Sequence, residues 1–427
     1  MDKIIEQSIK TANTLYGSGH LNPYNSKLSL FKYIKEICKI TLSILRLFVF
    51  FRLNNSNSRS EFIFYIANLE KTKTEVLNIK KSNIGNRNLK FLTDKKNKDA
   101  NLSARQLKAN IDFRDFIILV KNRANINIAY RKTCLYQSKF DGVKSITHYL
   151  RFIYTILLIK SLKSSSILRE TRIVVNFFTF SYFGSALNSA CFLLGIPTFS
   201  YAWGSNIAGS ERIYPHIDYL LLKSDADLFM FKGRSDIANL RKATIGNLAF
   251  SPIKKSDDIY FDVLIIDTCC TDLFTLSDKV DLYKKIIDTS KANGFENICI
   301  KLHPSSQKKD FNFLKEYHSV VIERSELRNL YTVSKLIVNI NSTEVLFLKY
   351  AKFHTINLFP YFVEKYTNGG KMYSQFCETN LYDINSVDKL DFDWCAYLKS
   401  NVKEVTPETS VKTASENLFK VINDYID

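Results

Sequence analysis

One stretch of this chain gathers groups that can hold an anion and move a proton. Ile298-Cys299-Ile300 is apolar, and it runs straight into Lys301-Leu302-His303-Pro304-Ser305-Ser306. Lys301 offers a point charge, and Ser305 and Ser306 offer hydroxyls. His303 can give or take a proton near neutral pH. Pro304 fixes its own φ and so aims the turn. A second apolar run, Leu336-Ile337-Val338-Asn339-Ile340, leads into Asn341-Ser342-Thr343-Glu344. Asn341 or Ser342 suits a helix N-cap, and the N–H groups left open at a helix start also bind phosphate. Lys301, His303, Pro304, Ser305, Ser342 and Thr343 are therefore expected to meet the phosphate of a nucleotide-activated substrate.

Carboxylates supply candidate bases. Asp141 lies in Phe140-Asp141-Gly142, and Asp267, Thr268 and Asp272 follow another apolar run, 261–266. Any of these acids could take the proton of an attacking hydroxyl, and spacing alone does not choose among them. Trp203-Gly204-Ser205-Asn206 also follows an apolar run. Its indole could stack on a sugar or base, or simply pack. Trp203, Ser205, Asn206, Asp267, Thr268 and Glu344 form the wider set of expected donor or acceptor contacts. The chain has no GxxxxGK[ST] loop, GxSxG elbow, HExxH helix or GxGxxG turn.

These groups need strands that end at one edge of a sheet. Strands are read at 61–67, 129–136, 172–178, 196–201, 217–222, 261–266, 297–302, 320–323, 336–340 and 354–358. Helices are read at 149–163, 182–194, 225–232, 281–292, 311–317, 326–332, 344–350 and 412–425. Alternation of strand and helix is the pattern of a parallel sheet covered on both faces. Ligands of such sheets sit outside the carboxyl ends of the strands. The polar, Pro-containing segment 251–260 marks a boundary between two α/β halves. The expected domains are 1–250, 261–411 and a C-terminal helix at 412–427, with a cleft between the halves.

Composition limits the partners. The chain has 427 residues, 60 Lys and Arg against 42 Asp and Glu, and a formal charge of +18. An anionic partner follows: a phosphorylated substrate, an acidic membrane surface or nucleic acid. The basic tract 70–110 has few aromatics and reads as a solvated face, so nucleic acid is not expected. Residues 29–53 are apolar but broken by Lys32, Lys35, Glu36, Lys39 and Arg46. Their uncharged runs fall well short of the ~20 residues a span needs. The segment reads as a basic amphipathic helix, lying on an anionic bilayer or packed on its own domain. Residues 1–10 are polar, unlike a secretory leader. The 8 Cys show no metal spacing, and Cys38, Cys191 and Cys299 sit in apolar runs, which suits buried reduced thiols. No metal and no cofactor are expected.

Lys301-Leu302-His303-Pro304, with Asn341-Ser342-Thr343-Glu344 after it, resembles the His-Pro and Ser-Ser/Thr motifs of bacterial GT-B sialyltransferases and of related Kdo and polysialic acid transferases. Phe140-Asp141-Gly142 falls where that group carries an acidic pair before Gly, with Phe at the first position. The His-Pro turn is also similar to that of CDP-glycerol phosphotransferases, and so is the segment from Tyr201-Ala202-Trp203-Gly204 to Ile245-Gly246-Asn247.

The resemblance implies a GT-B-like fold, two Rossmann-like domains facing across a cleft, with acceptor in the first half and nucleotide-sugar in the second. It implies an inverting, metal-independent transfer from a CMP-activated sugar donor to a glycan or lipid-linked glycan acceptor. Asp141 would be the base, and His303, Ser342 and Thr343 would stabilise the departing phosphate. The enzyme would work in the cytoplasm, at the inner face of the membrane. The alternatives are a CDP-polyol phosphotransferase or another-donor GT-B enzyme, and a basic nucleic-acid-binding or scaffold protein.

Overall fold

The computed structural model describes residues 1–17, 37–38, 40–42, 62–65, 73–81, 89–93, 104–106, 113–133, 143–177, 182–201, 216–223, 240–248, 256–268, 270, 274–303, 306–342, 348, 353–366, 382–384, 386–400 and 411–426. The chain divides into two compact units, Met1–Ala249 with Val411–Asp427, and Phe250–Ser410.

Short β-branched, aromatic and leucine-rich runs form the central strands of the first unit's sheet, and its edge strands, Ala104–Gln106 and Arg241–Thr244, are polar. Its strands are β1 (Phe62–Tyr65), β2 (Leu89–Thr93), β3 (Ala104–Gln106), β4 (Ile173–Asn176), β5 (Thr198–Tyr201), β6 (Tyr219–Leu222) and β7 (Arg241–Thr244). They run in the order β3-β2-β1-β4-β5-β6-β7, and every pair is parallel. Strand side chains alternate between faces, and β4 shows the consequence. Val174 joins a core with helices α1 (Asp2–Gly17), α4 (Arg123–Arg131), α5 (Val143–Lys163) and α6 (Tyr182–Leu194). Ile173 and Val175 join the other core, with α2 (Lys73–Lys81) and the C-terminal helix Val411–Ile426. Helices thus cover both faces, as buried parallel strands require. The C-terminal helix places Ala414, Leu418, Phe419 and Ile422 in the first unit's core.

In the second unit the strands are β8 (Phe261–Ile266), β9 (Ile298–Lys301), β10 (Val320–Glu323), β11 (Ser334–Asn339), β12 (His354–Asn357) and β13 (Tyr382–Asp383). All pair in parallel, in the order β10-β9-β8-β11-β12-β13. The chain moves outward from β8 to β10, then restarts at β11 on the other side of β8. That reversal is the topological switch point of a doubly wound sheet. Helix α7 (Leu276–Ala292) follows β8. It is started by a capping box, in which Thr275 and Asp278 each satisfy the other's backbone N–H. The unit's described residues also include 3-10 helices at Lys308–Glu316 and Val387–Leu390, and α8 (Leu327–Thr332), α9 (Phe359–Tyr366) and α10 (Trp394–Lys399). Trp394 is fully buried in its core.

Several local expectations are corrected. The strand expected at 129–136 gives way, over its described residues 129–133, to the end of a helix: α4 covers 123–131, with Ile126, Ala129 and Tyr130 buried at helical spacing. The basic tract 70–110 holds α2, β2 and β3, with Glu75, Val76, Ile79 and Phe91 buried. The tract's high charge gave no sign of these buried residues. The helix expected at 311–317 is a 3-10 helix, Lys308–Glu316. Helix α1 hides a buried stripe of Ile4, Ile5, Ser8, Thr11 and Ala12 under its polar composition. Within 29–53, the described residues 37, 38, 40, 41 and 42 are helical. Ile40 is buried, but Cys38 is exposed, whereas Cys191 and Cys299 are buried. Among the described residues no helix is long and apolar enough to cross a membrane.

Candidate functional site

The carboxyl ends of β8, β9 and β11 come together at the switch point. Ile266 is paired with Lys301 on one side and with Asn339 on the other. Lys301 also pairs with Glu323, and Asn339 with Asn357. These residues form one row across the sheet. At ~4.8 Å per strand, Lys301 and Asn339 stand about 10 Å apart. The chain leaves β9 into His303 and leaves β11 into Ser342, so both motifs open from the same edge.

The His303 turn is tied down from below. Its backbone N–H donates to Asp267 Oδ2 at 2.9 Å, and the Asp267 N–H donates to the Lys301 carbonyl at 3.0 Å. The Ser306 N–H returns to the His303 carbonyl at 2.9 Å, closing the turn. His303 and Lys301 are half-buried, and Ser306 is buried. Burial, with the Arg324 guanidinium nearby, holds the Lys301 ammonium below its ordinary pKa. Arg324 Nη2 donates to the Ser306 carbonyl at 3.1 Å. The edge therefore carries Lys301, Arg324 and His303 in close succession, which suits an anion. Cys299 is no nucleophile here, since burial pushes its thiol up to about 12.

Beneath this turn lies a charge network that sequence reasoning missed. Lys279 of α7 is fully buried, and its Nζ meets Asp267 Oδ1 at 2.8 Å. The same Nζ donates to the Thr268 carbonyl at 2.9 Å and to Ser306 Oγ at 3.3 Å. It also lies 4.4 Å from the centre of the Phe311 ring. The Tyr283 hydroxyl donates to Asp267 Oδ1 and accepts the Thr268 N–H at 3.2 Å. Burial and the Asp267 carboxylate push the Tyr283 phenol well above its ordinary pKa. A signal for Lys279 does exist in the sequence. It occupies a place in the apolar stripe that continues through Leu282, Tyr283, Ile286 and Ile287, where an unpaired lysine would be costly.

The Ser342 side is held by an amide pair. Asn339 Oδ1 accepts the Ser342 N–H at 3.2 Å, while Asn339 Nδ2 donates to Asn357 Oδ1 at 2.9 Å. Asn357 Oδ1 also accepts the Phe359 N–H at 3.3 Å. Both Asn side chains are fully buried. In the sequence these two Asn residues only close apolar runs, and their positioning role is visible in the structure alone.

Asp267 and Thr268 take part in anchoring the turn. Both were expected at a donor or acceptor, with Asp267 an alternative base. Asp267 is buried with both oxygens engaged, and Thr268 is buried beside it. Lys279 and the Tyr283 hydroxyl share Oδ1 and the His303 N–H takes Oδ2, so the carboxylate is held as an anchor of the turn. Pro304, Ser305, Thr343 and Glu344 lie outside the described residues, and so do Asp141, Asp272, Trp203, Ser205 and Asn206. The expected helices 225–232 and 344–350 lie outside them too, apart from Leu348. Among the described residues no cluster of His, Cys, Asp and Glu could hold a metal ion.

No family model matches this chain, and no curated protein matches it. Solved structures do. A Listeria monocytogenes protein assigned as a UDP-N-acetylglucosamine 2-epimerase is 8% identical, with a TM-score of 0.56, over 86% of this chain and 97% of its own. The Neisseria meningitidis UDP-GlcNAc 2-epimerase bound to UDP-GlcNAc is 11% identical, with a TM-score of 0.51, over 86% of this chain and 100% of its own. A further UDP-N-acetylglucosamine 2-epimerase is 10% identical at a TM-score of 0.50, over 86% and 96%. Likeness at this level of identity is likeness of fold. The fold is GT-B-like, with two Rossmann-like parallel-sheet units in one chain.

Proposed function

We propose that this chain is a glycosyltransferase that moves a sugar from a nucleotide-activated donor to a glycan acceptor. One observation carries the reading: the His303 and Ser342 turns open from one sheet edge, at the strand-order reversal, each anchored by buried polar side chains. Ligands of open parallel sheets bind at that place. The donor nucleotide's phosphate lodges there, against Lys301, His303 and the Ser342-Thr343 turn.

For the donor we propose a CMP-activated sugar of the sialic acid or Kdo type, inverted on transfer. The support is the pair of motifs Lys301-Leu302-His303-Pro304 and Asn341-Ser342-Thr343-Glu344. Asp141 takes the proton of the acceptor hydroxyl, in a role that rests on the motif resemblance. The acceptor oxygen bonds to the anomeric carbon as the bond from that carbon to the phosphate oxygen breaks. The electron pair leaves with CMP, and His303 and the hydroxyls stabilise it by hydrogen bonding. Cationic side chains and backbone N–H groups carry the neutralisation, so the proposed reaction uses no metal. A UDP-sugar reading is favoured by one specific observation, the fold likeness to an epimerase solved with UDP-GlcNAc.

The acceptor side we place at an anionic membrane surface, on the inner face of the cytoplasmic membrane. Support comes from the charge of +18 and from exposed apolar residues on basic helices. Ile117 and Val120 belong to α3 (Phe113–Lys121), Ile128 to α4 and Ile146 to α5, and all are exposed. Lys121, Arg123, Arg131 and Lys132 are exposed in the same helices or directly after them. Such a mixture suits adsorption to acidic lipid. Co-sedimentation with anionic but not zwitterionic vesicles is expected, and absence of binding to both removes the placement.

The activity test offers CMP-sialic acid, CMP-Kdo, CDP-glycerol and UDP-GlcNAc one at a time, with product and released nucleotide identified. CMP and a glycosylated acceptor are expected from one of the first two. His303→Ala should lower turnover by ~100-fold or more. An unchanged rate in a folded variant removes the mechanism.

A further inference from the structure

We infer that the buried Asp267–Lys279 ion pair is a clamp that sets the His303 turn for the donor phosphate, making both residues positioning residues for the transfer. The inference rests on the donor reading above.

The turn is gripped at both ends by one pair of charges. At its start, the His303 N–H donates to Asp267 Oδ2 at 2.9 Å. At its end, Ser306 Oγ accepts from Lys279 Nζ at 3.3 Å. The two charges meet each other at 2.8 Å with neither side chain exposed. The circuit therefore runs His303, Asp267, Lys279, Ser306 and back to the His303 carbonyl through the Ser306 N–H. Every Lys279 ammonium donor has a target: Asp267 Oδ1, the Thr268 carbonyl and Ser306 Oγ. The Tyr283 hydroxyl donates to the same Asp267 oxygen that Lys279 meets and so helps to fix the carboxylate. The ammonium has no route of its own to solvent, so it acts on a ligand only through the turn.

A buried ion pair is a poor way to gain stability, because apolar side chains of the same volume do as well or better. Directed bonds are what this pair supplies and an apolar pair could not. It joins three successive elements, the end of β8, α7 and the turn after β9. Two ties on so short a segment leave the imidazole little freedom to shift, and a misplacement of about 1 Å can cost a catalytic site ~100-fold.

The test is a cycle in the full-length protein, with the donor identified by the activity panel. Lys279→Met and Ser306→Ala are each made alone and combined with His303→Ala. Alone, Lys279→Met should lower kcat/KM for the donor by about 10- to 100-fold, with the acceptor KM unmoved. In the His303→Ala background the same change should cost less than about 3-fold, because the group being positioned is already gone. Ser306→Ala removes only the Oγ acceptor, keeps the fold, and should show the same non-additivity at smaller size. It serves alone if Lys279→Met does not fold. Fully additive losses overturn the clamp and leave the donor reading standing. If the wild type turns over no donor, the donor reading falls and this inference falls with it.

Discussion

Breaking the buried pair should cost far more than its place on a single helix suggests. In Lys279→Met the aliphatic volume is nearly kept, so no large cavity opens. What is lost is the 2.8 Å ion pair, the bonds to Thr268 and Ser306 at 2.9 and 3.3 Å, and the contact with the Phe311 ring. What remains is a carboxylate with no exposed side-chain surface and only Tyr283 and the His303 N–H to satisfy it. Removing one partner of a buried pair costs ~3–5 kcal/mol. For a domain of 150–250 residues each kcal/mol moves Tm by about 2–4 °C, so a fall of roughly 6–20 °C follows. The double variant Asp267→Asn with Lys279→Met removes both charges and should lose clearly less than the two single losses added together. Trp394, buried in the second unit's core, reports its unfolding by fluorescence. The chain's other Trp, Trp203, would be replaced by Phe to remove its signal. A Lys279→Met variant within ~1 kcal/mol of its parent in urea unfolding, or strict additivity in the double, would refute the buried-pair argument.

Two further outcomes follow from the second unit. At the opposite edge of its sheet, Asp262 is partly buried, which works to raise its carboxyl. Lys335 at 2.6 Å and the Asn297 and Glu296 N–H groups outweigh that and hold it below the ordinary carboxylate value. Its stabilisation is complete above the unfolded value of about 4 and is lost as pH falls through the lower folded value. The gap in urea midpoint between wild type and Asp262→Asn should therefore close on acidification below about pH 4, and a gap constant from neutral pH to pH 3 would contradict this. Asn339→Ala leaves the Ser342 N–H and the buried Asn357 amide each short of a partner. It should cost ~1–3 kcal/mol in unfolding and weaken nucleotide binding by calorimetry; unchanged values for both would show that the amide pair does not hold this turn.

Particular residues show where local pattern was enough. Tyr182–Leu194, Phe261–Ile266 and Val320–Glu323 form with the bounds their apolar runs suggest. Helix α7 begins earlier than its apolar stripe does, because the Thr275–Asp278 box sets its start. The segment 129–136 misled because β-branched and aromatic residues suit either a strand or the buried stripe of a helix. Packing of Tyr130 against Tyr149 and Phe152 decided for the helix. Likewise, α1 and the 70–110 tract concealed buried faces under polar composition, since half of an amphipathic segment is polar by construction.

By itself, the order of residues determined a repeating strand–helix pattern and the Lys301-to-Ser306 and Asn341-to-Glu344 motifs at strand ends. These are properties of neighbours in the chain, and periodicity and turn chemistry report them. Tertiary structure alone decided that Asp267 anchors the His303 turn, that Lys279 is its partner, and that Asn339 and Asn357 join across adjacent strands. Burial turns a charged or amide side chain from a solvated group into one that must find a partner. Which partner it finds depends on how distant strands are ordered in the sheet.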